Sequence, residues 1–117
     1  MERQSKNEKL LQYFKDICRI PRQTGDEEAI SQYLLDFAKA RGLQAERDAH
    51  HNVLIRKPST IPGYKGPTVI VQGHMDIVYE KSADSTHKYE DGIHVVEEDG
   101  YLKSADGTSL GADNGLA

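Results

Sequence analysis

At 117 residues, with 37% hydrophobic and 29% charged residues, the chain is long enough for one small domain with a real core and too apolar to be disordered. With a net charge of −4 nothing points to a nucleic-acid surface, so no nucleic-acid partner is expected, and basic residues such as Arg19, Arg22, Arg56 and Lys57 are scattered and read as solvated. One cysteine excludes an internal disulfide and fits a reducing compartment.

The segment from Met1 to Lys9 is charged and polar, with no apolar h-region, and no apolar run approaches a membrane span. The expected location is therefore the cytoplasm, with no membrane partner. Leu10, Leu11, Phe14, Ile17 and Cys18 recur at helical spacing and predict an amphipathic helix from about Ser5 to Ile20, which Pro21 ends. Cys18 lies on the apolar stripe and is expected in the core rather than as a nucleophile. Thr24, with Glu27 three positions on, predicts a capping box at the start of a second helix, where Asp26, Glu27 and Glu28 suit the helix dipole. Its buried stripe is Ala29, Ile30, Tyr33, Leu34, Phe37 and Ala38, and Gly42 is its stop.

Leu43 to Asp48 and Asn52 to Arg56 read as two strands joined by a polar turn that holds His50 and His51. Adjacent loop histidines bind metal weakly, so a solvated turn is the expectation. Three prolines and two glycines make Pro58 to Pro67 a loop. Val69-Ile70-Val71-Gln72-Gly73 is then expected to be a strand buried on both faces. The polar stretch from Glu80 to Asp91 is long enough to be functional or mobile. Asp99-Gly100, between Ile93 to Glu98 and Tyr101 to Lys103, is a two-residue hairpin signal. Asp106-Gly107 marks another turn.

The chemistry centres on His74-Met75-Asp76, at the carboxyl end of the expected central strand. Side chains two apart on extended backbone point the same way, and open α/β sheets bind ligands at strand carboxyl ends. Imidazole is a common zinc ligand and is usually held through its other ring nitrogen by a carboxylate or carbonyl. One strand end thus supplies a ligand and its orienting group, although the triplet alone fits a strand-end His beside a solvated Asp equally well. Asp113 sits in a glycine-rich turn, where the backbone can approach a ligand closely. A carboxylate can bridge two cations about 3.5–4 Å apart. An ordinary turn Asp is the competing reading.

Together, Gly73-His74-Met75-Asp76 and Gly111-Ala112-Asp113-Asn114-Gly115 resemble the two N-terminal metal-site motifs of the M20 zinc peptidases. The nearer likeness is to their aminoacyl-histidine dipeptidase branch (Xaa-His dipeptidase, carnosinase-like). It runs through Ile20-Pro21-Arg22, Glu27-Glu28-Ala29-Ile30, Gln72 to Lys81 and Thr108 to Gly115, and so covers nearly the whole chain. Many M20 members carry a proline soon after the His-x-Asp motif; Tyr79, Glu80 and Lys81 stand here instead, as in the dipeptidase branch.

The resemblance implies an α/β fold: the N-terminal part of a zinc-peptidase-like catalytic domain, a mixed sheet with flanking helices, incomplete. Residues 1–117 would be one partial catalytic domain. It implies two Zn²⁺ ions per complete site, with cobalt or manganese also suiting such ligands. His74 would ligate one ion and Asp113 would bridge both. Asp76 takes the catalytic assignment of holding the His74 imidazole. The Asp113–Asn114 peptide would be cis. The implied activity of the parent enzyme is hydrolysis of dipeptides, Xaa-His dipeptides first, by a metal-activated water with a Glu as base and acid.

In the family, the base belongs to a Glu pair after the bridging Asp. Here Glu27-Glu28 and Glu97-Glu98 both come before it. They read as helix-start and hairpin-edge charge, so the chain alone is expected to be inactive. A strand short of neighbours would expose apolar surface or a sheet edge and favour self-association. Two further readings stay open: part of another M20 peptidase or deacylase, and a non-catalytic interaction module.

Overall fold

In the computed structural model, which describes residues 6–116, two helices and two antiparallel hairpins surround a long irregular middle. Helix α1 (Lys6–Cys18) and helix α2 (Glu28–Ala40) match the expected helices, the start at Ser5 lying outside the described residues. On α1, Phe14 and Cys18 are buried, Leu11 and Ile17 are half-buried, and Leu10 is left exposed. On α2, Ile30 and Ala38 are buried, while Tyr33, Leu34 and Phe37 are half-buried and Ala29 is exposed.

The stop at Gly42 is a Schellman motif. Leu43 N–H donates to the Ala38 carbonyl and Gly42 N–H to that of Lys39, with Gly42 in the left-handed region at φ 67°. The start of α2 differs from the expected capping box. Glu27 is the N-cap, without a side-chain cap bond, and its carboxylate accepts from Gly25 N–H instead. The Thr24 hydroxyl is drawn away to a carboxylate on another segment, described below.

Strands β1 (Gln44–Arg47) and β2 (Val53–Arg56) pair antiparallel, Gln44 opposite Arg56 and Arg47 opposite Val53. Strands β3 (Val95–Glu98) and β4 (Tyr101–Ser104) form the second hairpin. Asp99 and Gly100 both take positive φ, 52° and 80°, as a type I′ turn requires. Glu97 and Glu98 are exposed and pair with Lys15 and Lys103.

The expected central strand is not one. Val69, Ile70 and Val71 are 82%, 82% and 89% exposed, and residues 68–71 share a groove of 640 Å³ with β2 without pairing to it. A strand exists only as part of a ladder. Apolar composition supplies β-propensity but not the neighbour that would satisfy the backbone. The extended path gains a partner only further on. Ile77 pairs in parallel with the link between α1 and α2: its N–H donates to the Arg22 carbonyl and its carbonyl accepts from Thr24 N–H.

The core lies beneath that link and joins Phe14, Cys18, Ile77 and Ile93, with Val95, Leu102, Leu110 and Ala112 packed against it. The polar stretch after Glu80 is tied to this core rather than loose. Lys81 bridges Thr108, and His87 is buried with both ring nitrogens engaged, by the Tyr79 hydroxyl and the Gly92 carbonyl. The whole is open. Its radius of gyration is 16.6 Å, against about 13 Å for a compact domain of this length. Among the described residues, no helix is long and apolar enough to cross a membrane.

Candidate metal centre

Pairing of residue 77 with the α1–α2 link fixes the direction of the two residues before it. Asp76 turns its carboxylate toward that link, where Oδ2 accepts from the Thr24 hydroxyl. Its Oδ1 lies 3.1 Å and its backbone oxygen 3.0 Å from His74 Nδ1. Both partners are acceptors, so Nδ1 carries a proton, and whenever the ring is neutral its lone pair is on Nε2. That atom faces Asp113 Oδ2 at 3.5 Å. His74 is 55% exposed and Asp113 77%, so the pair opens to solvent.

Asp113 rides on a helical turn, α3 (Ala112–Gly115), entered through Gly111 at φ 71° and ψ 36°. Gly115 N–H donates to the Gly111 carbonyl and Leu116 N–H to that of Ala112. That winding needs planar trans peptides. The Asp113–Asn114 bond is accordingly trans, not cis as the resemblance implied, and no described peptide bond is cis. The glycines also serve something other than a ligand. A Cβ on Gly111 would stand 2.5 Å from Ile77 Cγ2, and one on Gly115 2.7 Å from Phe14 Cε2. They let the turn settle on the core, and from there the Asn114 side-chain amide donates to the Asp76 carbonyl at 2.9 Å.

The three residues singled out by motif thus meet at one place, though they come from two distant parts of the chain. Their chemistry fits a divalent cation in part. A carboxylate-held imidazole whose Nε2 faces a second carboxylate offers two mutually oriented donors. Among the described residues, however, no group of three or more His, Cys, Asp or Glu side chains is placed to hold a metal ion.

Sequence reasoning missed three supporting residues: Arg22, expected in solvent but 1% exposed; Thr24, expected as a helix cap; and Asn114, buried behind Asp113. All act across long stretches of chain, where local pattern carries no signal. The position of Arg22 directly after a helix-stopping proline was the one available hint. The His50-His51 turn is also more than solvated. His51 takes φ 67° with Nδ1 buried and unpartnered, and the turn lines a 190 Å³ cleft with Glu27, Gln72 and His74.

The His74–Asp76 hydrogen bond raises the imidazole pKa, and the Thr24 hydroxyl is the chief cause holding Asp76 below the usual carboxylate range. For His74 the linked stability is present below the ordinary imidazole value, about 6.5, and is lost as pH rises through the raised one. For Asp76 it is present above about 3.9 and is lost as pH falls through the lowered value. Thr24→Val is expected to move the Asp76 titration upward. A carboxyl-carbon NMR titration checks it, and an unmoved midpoint would show that the hydroxyl does not set it.

No family model matches the chain. The chain is 38% identical over 107 residues to the cytosol non-specific dipeptidase of Escherichia coli (strain K12), a match covering 92% of this chain and 22% of that protein. It superposes on the crystal structure of aminoacylhistidine dipeptidase from Vibrio alginolyticus with a TM-score of 0.87 and 35% identity, over 97% of this chain and 23% of that one. The chain therefore spans about a fifth of the length of these relatives, and over nearly all of its own length it is similar to these two dipeptidases.

Proposed function

We propose that the chain is the first metal-site portion of an M20-type dipeptidase, a cytoplasmic enzyme that hydrolyses dipeptides, with Xaa-His dipeptides the leading class. The observation that carries this reading is the His74–Asp113 approach at 3.5 Å, with Nδ1 of the same ring committed to Asp76. The two homologues supply the substrate class. His74 Nε2 and the Asp113 carboxylate would hold zinc, with cobalt or manganese as substitutes. Such an ion would polarise a peptide carbonyl and acidify its bound water.

This chain's own residues have simpler tasks. Asp76 keeps the Nδ1 proton in place and so presents the Nε2 lone pair. Thr24 keeps Asp76 ionised, and Asn114 ties the Asp113 turn to the His74 arm. The first test is hydrolysis of an Xaa-His dipeptide with added zinc. The purified 117-residue chain should show none above the blank. Turnover by it that Asp113→Ala abolishes would overturn the claim of inactivity.

Self-association belongs to the same proposal, since Val69-Ile70-Val71 offers unpaired, exposed, β-forming backbone. Sedimentation velocity should show association that grows with concentration and weakens in Ile70→Lys. A monomer at every concentration would count against it.

A further inference from the structure

Among the described residues Arg22 is the largest fully buried side chain, in a molecule open enough to have left it in water. A guanidinium gives up strong hydration on burial, and its position needs acceptors to explain it. Its hydrogen-bond acceptors are backbone carbonyls. Nη1 donates to Met75 O at 3.1 Å and Nη2 to Gly111 O at 3.3 Å, while Nε is buried without a partner. Met75 stands between His74 and Asp76, and Gly111 opens the turn that carries Asp113. One rigid fork therefore reaches both arms of the site at their backbones.

The turn is shaped to receive it. A Cβ on Gly111 would lie 3.1 Å from Arg22 Nη2, and one on Gly115 3.3 Å from the same atom. Cys18 beside it, and more weakly Asp113 and Asp76, act on the guanidinium in the sense that favours its charge against burial. These contacts are more than a core needs. An apolar side chain of similar volume would fill the space without requiring two carbonyls to converge.

We propose that Arg22 is a positioning residue for the metal site: by bridging the Met75 and Gly111 carbonyls, it sets the separation between the His74 imidazole and the Asp113 carboxylate. The part concerning the ion rests on the metal reading given above; the part concerning the backbone does not. Lysine keeps the charge but is a point donor and cannot span both carbonyls as the planar fork does.

The test uses the full 117-residue chain, its Arg22→Lys variant and Co²⁺ as the probe. Arg22→Lys should keep a cooperative melting transition, lose about tenfold in Co²⁺ affinity, the lower end of what supporting residues contribute, and change the Co²⁺ ligand-field spectrum. Amide exchange at Gly115 and Leu116, which close the Asp113 turn, should quicken in the variant without metal. Wild-type affinity, spectrum and exchange in a folded Arg22→Lys protein would overturn the proposal.

If the wild-type chain binds no Co²⁺, the metal reading fails and the exchange measurement alone decides the role of Arg22. Should the variant not fold, the wild-type chain still decides. Separate, slowly interchanging ¹⁵Nη resonances for Arg22 support a fixed fork, and averaged ones overturn it.

Discussion

Adding zinc should raise the melting temperature of the chain, and His74→Ala or Asp113→Ala should remove the rise. A ligand that binds only the folded state at a hundredfold excess over Kd contributes about 2.7 kcal/mol. In a domain of this length that is a shift of roughly 10 °C or more. Asp76→Asn should fall between, because loss of an orienting partner typically weakens metal binding about 10- to 100-fold without deleting a ligand. Differential scanning calorimetry over a zinc series checks all three. The outcome that sinks the metal reading is an absent zinc response, or one that survives loss of both His74 and Asp113. A non-catalytic interaction module also predicts no response, so the same scan separates the two readings.

Phe14→Ala should cost about 3–5 kcal/mol, the usual range for truncating a fully buried aromatic. Phe14 is 0% exposed and belongs to a core cluster that counts four buried residues among those described. Against a total stability of roughly 5–15 kcal/mol for ordinary domains, that loss is a large fraction. The effect should reach the site as well. The Phe14 ring is what a Cβ on Gly115 would strike at 2.7 Å, so it forms the floor on which the Asp113 turn rests. Urea unfolding should show a large drop in midpoint, and zinc stabilisation should shrink in the same variant. A small change in midpoint would mean that the cluster is not the stabilising centre of the fold.

What could be read from the sequence was what neighbours in sequence decide. The apolar stripe of α1, the Gly42 stop and the Asp99-Gly100 turn each follow from a few adjacent residues, and each is present. The fold brings together His74, Asp76 and Asp113, whose local motifs left an ordinary reading open until the family resemblance joined them. The strand expected over Val69 to Gly73 was not, because pairing is a property of two segments and the apolar run describes only one. Arg22 and Thr24 were misread for a related reason. Each has an ordinary local role, a solvated cation or a helix cap, and each is claimed instead by a partner more than fifty positions away. Apart from the proline before Arg22, nothing local distinguishes the two fates. The trans Asp113–Asn114 peptide corrects an expectation that came from resemblance rather than from these residues.

The chain's single thiol gives its folding a built-in chemical clock. Cys18 is 1% exposed, its Sγ 3.9 Å from the Leu110 carbonyl oxygen, and burial pushes its pKa up, so the closed molecule is doubly slow to react with a thiol reagent. Reaction requires the C-terminal end of α1 to part from the segment leading into the Asp113 turn. The ratio of its labelling rate to that of a free thiol then measures how often this seam opens, one molecule in how many, without any denaturant. Zinc, were His74 and Asp113 to hold it as proposed, would be readable as a slower clock.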